Sequence, residues 1–289
     1  MKIRKAVFPV AGYGTRMLPA TKAIPKEMIT LIDKPLIQYS VEEAIDSGIE
    51  QIIFITGRAK KSMEDHFDMN VELNKILLES GRTKLYEDMK RISEMADIIY
   101  VRQKEQLGLG HAILCAKDIL KGEPFAVILP DDIILSKEPV ISQLIRQYER
   151  VNGNIISLMP IKAEHARRYG IVSIDTRVDE RMYKLADMVE KPKDTPLSEF
   201  AIIGRYILTP DILNILETTQ PETGNEIQLT DALRTLAKNG HVFGYEFDGM
   251  RFDCGEKIGL LEATINFAAQ NSELAPELRR IMSKLDYKD

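Results

Sequence analysis

The sequence predicts an α/β fold with a mixed, mainly parallel sheet flanked by helices. Three observations carry that prediction. Short β-branched apolar runs alternate with segments of helical period over the first half of the 289-residue chain, which is the order of a parallel sheet covered on both faces. The first of those runs feeds directly into a loop with two glycines, Gly12 and Gly14, and a later one ends at the paired aspartates Asp131 and Asp132. Ligands of open α/β sheets bind beyond the carboxyl ends of the strands, which is where both features fall.

The run Ala6-Val7-Phe8-Pro9-Val10 reads as a buried first strand. Leu36 to Ser47 has helical periodicity and stops at Gly48, a good helix terminator. Gln51 to Thr56 is a β-branched buried strand closed by Gly57. A longer helical stretch covers about residues 71–95, broken near Gly81, followed by a strand at Asp97 to Val101 and a helix at His111 to Leu120. Pro124 to Leu129 is the next buried strand, and it delivers Asp131 and Asp132. After about Asn152 strands dominate: Ile155 to Pro160, Gly170 to Ile174, Met182 to Val189 and Phe200 to Leu208, with a hairpin connection at Asp175 to Arg181. Helices return beyond Pro210, clearest at Glu226 to Lys238 and Lys257 to Ala269. With no internal repeat or flexible linker, residues 1–289 read as one domain. It has a first half to about 150, a mixed half over about 151–255, and closing helices over about 256–289.

A hydrophobic content of 44% and a charged content of 29% are ordinary for a soluble globular protein. The net charge of −5 argues against a nucleic-acid partner and makes a local concentration of cations around the first loop more informative. The basic N-terminus is followed by too short an apolar run for a signal peptide, and no apolar span of about 18 residues follows, so no membrane association is expected. Cys115 and Cys254 are far apart and lack metal-ligand spacing, which suits a reduced, cytoplasmic setting. His66, His111, His165 and His241 form no zinc motif.

The loop Gly12-Tyr13-Gly14-Thr15-Arg16-Met17-Leu18-Pro19 leaves backbone N–H groups bare for an anionic phosphate chain, with Arg16 and Lys26 adding positive charge beside it. Two common glycine-loop classes are excluded. A dinucleotide fingerprint needs a glycine where Met17 stands, and Pro19 stops any helix beginning there. The P-loop pattern is absent. What remains is a loop followed by an extended, proline-punctuated arm carrying Lys22 and Lys26, against the plainer alternative of a strand–turn with scattered cations.

Four further segments carry chemistry, each with a bland alternative. Asp131-Asp132 suits Mg²⁺ coordination or an Asx-type turn. In Arg102 to Ala112, Gln103 suits the imide edge of a pyrimidine and Gly108 lets the backbone approach it; the alternative is a polar loop capping a helix. Glu190 and Lys191 suit sugar hydroxyls and a sugar phosphate, with Gly170 placed for close approach, or else form an edge-strand ion pair. Asn225 to Asp231 opens a helix, and capping is the preferred reading for its polar residues. Asp253 is a second metal ligand or an N-terminal charge for the helix after it.

Together with Thr21-Lys22, Pro25-Lys26-Glu27-Met28, Asp33-Lys34-Pro35, Glu64-Asp65-His66-Phe67 and Gly204-Arg205-Tyr206, these segments resemble the sugar nucleotidyltransferase superfamily. Within it they resemble the bacterial UTP–glucose-1-phosphate uridylyltransferases, from the first strand to about Gly255. The resemblance implies a Rossmann-like, GT-A-like nucleotidyltransferase fold with a sugar-binding β-rich region, dependence on Mg²⁺, and a homo-oligomer, dimer or tetramer. It implies that UTP and glucose 1-phosphate are the substrates and UDP-glucose and pyrophosphate the products. It places Ala11, Gly12, Gly14, Thr15, Glu27, Gln103 and Gly108 around the nucleotide, with Gly12, Gln103 and Gly108 holding uracil. Arg16 and Lys26 become the catalytic cations, Gly170, Glu190 and Lys191 the sugar-phosphate contacts, and Asp131 and Asp253 the metal ligands. Val10 and Pro130 depart from the usual alanine and glycine of the pattern, which bears on nucleotide affinity more than on reaction class. A thymidylyltransferase, a uridylyltransferase for another hexose 1-phosphate, a nicotinamide-dependent dehydrogenase and a non-catalytic nucleotide-sugar sensor are the competing readings.

Overall fold

Runs such as Ala6-Val7-Phe8 and Ile52-Ile53-Phe54-Ile55, with no polar interruption, become central strands whose side chains are wholly buried on both faces. The computed structural model describes residues 1–193, 196–221 and 225–285. Its strands are β1 (Lys5–Pro9), the short β2 (Thr30–Leu31) and β3 (Lys34–Pro35), β4 (Gln51–Thr56), β5 (Asp97–Arg102), β6 (Phe125–Ile128), β7 (Asp132–Leu135), β8 (Asn154–Pro160), β9 (Gly170–Arg177), β10 (Met182–Glu190), β11 (Phe200–Leu208), β12 (Val242–Glu246) and β13 (Met250–Asp253). The helices are α1 (Leu36–Asp46), α2 (Lys61–Phe67), α3 (Val71–Glu79), α4 (Thr83–Glu94), α5 (Gly108–Leu114), α6 (Lys117–Leu120), α7 (Val140–Val151), α8 (Asp211–Thr218), α9 (Leu229–Lys238), α10 (Lys257–Gln270) and α11 (Ala275–Met282).

Nine strands form one sheet in the order β5-β4-β1-β6-β11-β8-β12-β10-β9. The first four are parallel, as the alternation predicts, but β11 enters antiparallel to both β6 and β8, and β10 is antiparallel to β12 and β9. Parallel pairing therefore belongs to the first half and to β8–β12, and the sheet as a whole is mixed. Helices cover both faces, one core gathering around Phe8, Phe54 and Ile141 and the other around Val7, Phe125 and Leu233. A separate two-stranded antiparallel sheet pairs β7 with β13, setting Asp253 opposite Asp132.

The hairpin turn between β9 and β10 closes at Asp179, whose carboxylate accepts from the backbone N–H of Arg181 and Met182. Three local expectations change. The helix expected from His111 to Leu120 begins at Gly108 and is divided into α5 and α6. The arm after Pro19 is not extended: it winds through 3₁₀ turns at Ala20–Lys22 and Lys26–Met28. The helix expected from Glu226 starts at Leu229. Helices α2, α7 and α8 and strands β7, β12 and β13 are additions to the sequence reading.

One ionic clamp ties these layers together. The side chain of Arg205, on β11, has no solvent exposure. Its guanidinium makes a paired contact with Glu43 of α1, 2.7 Å at the shorter bond, and donates to the carbonyls of Leu129 at 2.9 Å and Asp132 at 2.8 Å. Truncating Glu43 leaves that cation buried and unpaired, a loss of about 3–5 kcal/mol. A Glu43→Ala protein is accordingly expected to unfold at a clearly lower urea concentration than the wild type, with an unchanged slope.

Candidate active site

A cavity of about 500 Å³ opens where the ends of β1 and β6 face the start of β9 and the end of β10. Arg16, Asp131, Gly170, Glu190, Lys191 and Asp253 all line it, so six residues predicted for three separate tasks share one space.

On the β1 side, Lys26 donates to Asp131 Oδ2 at 2.5 Å. Burial alone would lower the lysine's pKa, but the carboxylates of Asp131 and Glu27 outweigh it and hold the ammonium above its ordinary value. Asp131 behaves reciprocally: burial pushes it up, and Lys26 more than compensates, so it stays below the usual carboxylate range. Beneath the pair, Glu27 is fully enclosed and bonds to Lys60 at 2.7 Å. There burial wins on both partners, raising Glu27 and lowering Lys60. Lys60 also donates to the Gly12 carbonyl at 2.8 Å, and Gln106 to that of Ala11 at 2.7 Å. The loop is thus fastened from below and from the side by its own carbonyls. Gly12 and Thr15 are exposed, and Thr21 holds the Gly14 carbonyl at 2.8 Å.

Asp131 and Asp253 converge on Gly255. A Cβ there would lie 2.9 Å from Asp131 Oδ2, 3.2 Å from Asp253 Oδ1 and 2.9 Å from the Arg16 guanidinium, so only glycine lets all three approach. Burial raises the Asp253 pKa, and the neighbouring Asp132 and Asp131 add to the rise against the opposing Arg251. Two carboxylates converging on one glycine are chemically suited to a hard divalent cation. Asp132 is used differently. It accepts from Arg251 Nε at 2.6 Å and from the Gly204 N–H at 2.9 Å, tying β13 and β11 to β7. Among the described residues no group of three or more His, Cys, Asp or Glu is placed to hold a metal.

On the opposite wall, Glu190 pairs in register with Gly170 and accepts from Thr230 Oγ1 at 2.8 Å. Lys191 follows with a positive φ of 46°, its N–H bonded to the Tyr169 carbonyl at 3.0 Å. Its ammonium stands 3.5 Å from Glu190. Thr230 and Gln228 line the cavity, and Gln228, at the N-cap position of α9, makes no capping bond. At Gln228 the capping reading therefore gives way to a lining role.

Neither Gln103 nor Gly108 lines the cavity, although Leu109, next to Gly108, does. Gln103 Nε2 donates to the Gly108 carbonyl at 3.2 Å and contacts His111 Nδ1 at 2.9 Å. Gly108 has φ 92°, and a Cβ would meet the Ile227 carbonyl at 2.7 Å. The Gly110 N–H donates to that same carbonyl, and the Ile227 N–H to the Leu107 carbonyl.

The Nucleotidyl transferase family model matches residues 5–270. The chain belongs to that family. Within the nucleotidyl transferases it is 48% identical over 285 residues to the UTP–glucose-1-phosphate uridylyltransferase of Bacillus subtilis, covering 98% of this chain and 97% of the relative. Two solved structures are similar in fold and sequence. A UTP-bound UGPase from Acinetobacter baumannii has a TM-score of 0.90 and 38% identity, covering 99% of this chain and all of that one. A UDP-glucose pyrophosphorylase complexed with UDP-glucose has a TM-score of 0.85 and 43% identity, covering 93% of this chain and all of that one.

Sequence reasoning missed Lys60, Arg168 and Arg251. Lys60 sits in a polar stretch with no signal of burial; Arg168 was adjacent to the Tyr169-Gly170 pair and Arg251 to Asp253, and proximity to those residues was the available cue. No helix among the described residues is long and apolar enough to cross a membrane.

The Lys26–Asp131 pair makes a definite pH prediction. Asp131, depressed on folding, contributes stability above an unfolded pKa near about 4 and loses it as pH falls. Lys26, raised on folding, contributes below about 10.4 and loses it as pH rises. In Lys26→Met the burial of Asp131 is uncompensated, and carbon-detected NMR titration is expected to find its carboxyl above the ordinary value.

Proposed function

We propose that this nucleotidyltransferase transfers a uridylyl group from UTP to glucose 1-phosphate, giving UDP-glucose and pyrophosphate. The observation that carries the reading is one cavity lined by Arg16, Asp131, Gly170, Glu190 and Lys191, with Lys26 bonded to Asp131 at its edge. The names of full-length relatives support the substrates.

The glycine loop, with Ala11, Gly12, Gly14 and Thr15, seats the triphosphate, and Gln103 and Gly108 flank uracil. Glu27 acts from beneath, through Lys60, by fixing the Gly12 carbonyl. Glu190 accepts from the glucose hydroxyls, Gly170 gives the ring room, and Lys191 binds the sugar phosphate. The first half, to about 150, holds the nucleotide, residues 151–255 the sugar, and the helices beyond 255 close the domain.

A phosphate oxygen of glucose 1-phosphate attacks the α-phosphorus of UTP in line, the new P–O bond forms, and the bond to the β-phosphate breaks to release pyrophosphate. No protein nucleophile is needed. The protein's contribution is to hold two polyanions in attacking geometry and offset their repulsion. Lys26, kept charged by its carboxylate neighbours, and Arg16 stabilise charge on the transferring and departing phosphates. Asp131 and Asp253 would hold Mg²⁺, which when bound supplies positive charge between these carboxylates and the phosphates. A homo-oligomer, dimer or tetramer, is favoured by the exposed apolar side chains of Ile258 and Leu261 on α10.

The decisive measurement is pyrophosphate release from UTP with Mg²⁺ and a panel of sugar 1-phosphates. Release is expected with glucose 1-phosphate and UTP, and at a lower rate with dTTP. Lys26→Ala is expected to lose roughly 100-fold or more in turnover. Nucleotide binding without release for any sugar would favour a sensor instead.

A further inference from the structure

Arg16 and Arg168 come from opposite halves of the chain, one from the first loop and the other from the 3₁₀ turn Ala163–Arg168 that precedes Tyr169-Gly170. Both close on one side chain. Arg16 Nη1 donates to Glu256 Oε1 at 3.0 Å, and Arg168 Nη2 donates to Glu256 Oε2. All three residues line the same cavity. Glu256 stands at the N-cap position of α10 but makes no side-chain capping bond, and it is partly exposed, so neither the helix nor the core uses its carboxylate. One carboxylate gripped by two guanidinium groups from separate elements reproduces the way planar donor forks take a phosphate.

We propose that Arg168 is a second phosphate-binding arginine, acting with Arg16 on the polyphosphate of the nucleotide, and that Glu256 is an internal anion that holds both guanidinium groups until the nucleotide displaces it. The inference rests on reading the cavity as the nucleotide and sugar-phosphate site. Either substrate carries a phosphate of suitable chemistry. Arg168 comes from the turn leading into Gly170, on the sugar side, but its guanidinium reaches across to the Glu256 that Arg16 holds and stands 3.7 Å from Asp253. The nucleotide is favoured because that shared carboxylate sits with Arg16 of the glycine loop, beside Gly255 and Asp131, whereas Lys191 is the nearer cation for a sugar phosphate. Binding then exchanges one anion for another. The internal bridge keeps the arginines pointed at the cavity and costs some affinity. Because Arg16, Arg168 and Glu256 are all partly open to solvent, that cost is modest.

Calorimetric titration of the full chain in MgCl₂ with UTP, pyrophosphate and glucose 1-phosphate tests this. Glu256→Gln is expected to tighten UTP and pyrophosphate by roughly three- to fivefold and leave glucose 1-phosphate unchanged. Arg168→Ala is expected to weaken UTP and pyrophosphate by roughly 10- to 100-fold, with partial recovery in Arg168→Lys. Weaker or unaltered UTP binding in Glu256→Gln overturns the displaced-anion role. Unaltered UTP binding in Arg168→Ala, or a change confined to glucose 1-phosphate, overturns the assignment of Arg168 to the nucleotide. A wild type that binds UTP but releases no pyrophosphate would sink the proposed reaction while these binding shifts still decide the role of the two arginines.

Discussion

The buried guanidinium of Arg205 is the constraint on which the site depends. It holds the carbonyls of Leu129 and Asp132, on either side of Pro130-Asp131, and is neutralised by Glu43 from a helix on one face of the sheet. The turn between them carries two adjacent carboxylates and buried backbone carbonyls, whose bonds must be met inside the protein. Arg205 meets them with a guanidinium whose charge Glu43 balances. Arg251 neutralises the Asp132 side chain. Both aspartates line the cavity, and Asp131 is the one that pairs with Lys26.

The two carboxylate–ammonium pairs near the first loop show how environment separates structural from chemical roles. Glu27–Lys60 and Lys26–Asp131 are built from the same groups a few ångströms deep in the same fold. In the first, enclosure dominates and each partner is pushed toward its neutral form. In the second, several charges act together and each partner is held in its charged form. The deeper pair fixes the loop through the Gly12 carbonyl, and the shallower one is available to substrates.

Much of this was legible in the sequence, because the strongest signals are local. The alternating runs gave β1, β4, β5 and β6 to within a residue or two, and the proline and glycine positions marked the loop and the strand ends. Antiparallel entry of β11 was not legible, since a wholly buried apolar strand reads the same in either direction. The β7–β13 pairing was hidden for a different reason: its partners lie more than a hundred residues apart, and nothing in either segment names the other. Among the residues that line the cavity, Asp131, Glu190 and Lys191 were visible at strand ends. Asp132 looked equivalent to Asp131 and is not, because the difference lies in Arg251 and the Gly204 N–H, which only folding brings near. Lys60 carried no sequence signal at all, as a lysine's burial depends on a carboxylate supplied from elsewhere.

The main-chain bonds between Leu107–Gly110 and Ile227 act as a caliper. They join the segment beside the proposed base seat to the one that leads into Gln228 and Thr230, and they use no side chain. The gap between the two seats is therefore set by peptide geometry, which substitution of the surrounding side chains leaves intact. On the proposed assignment, a lineage could retune which base or which hexose it accepts at Gln103, Glu190 or Thr230 while the span across which the two reactants meet stays the same. That separation of selectivity from spacing is what would let one scaffold serve many nucleotide sugars.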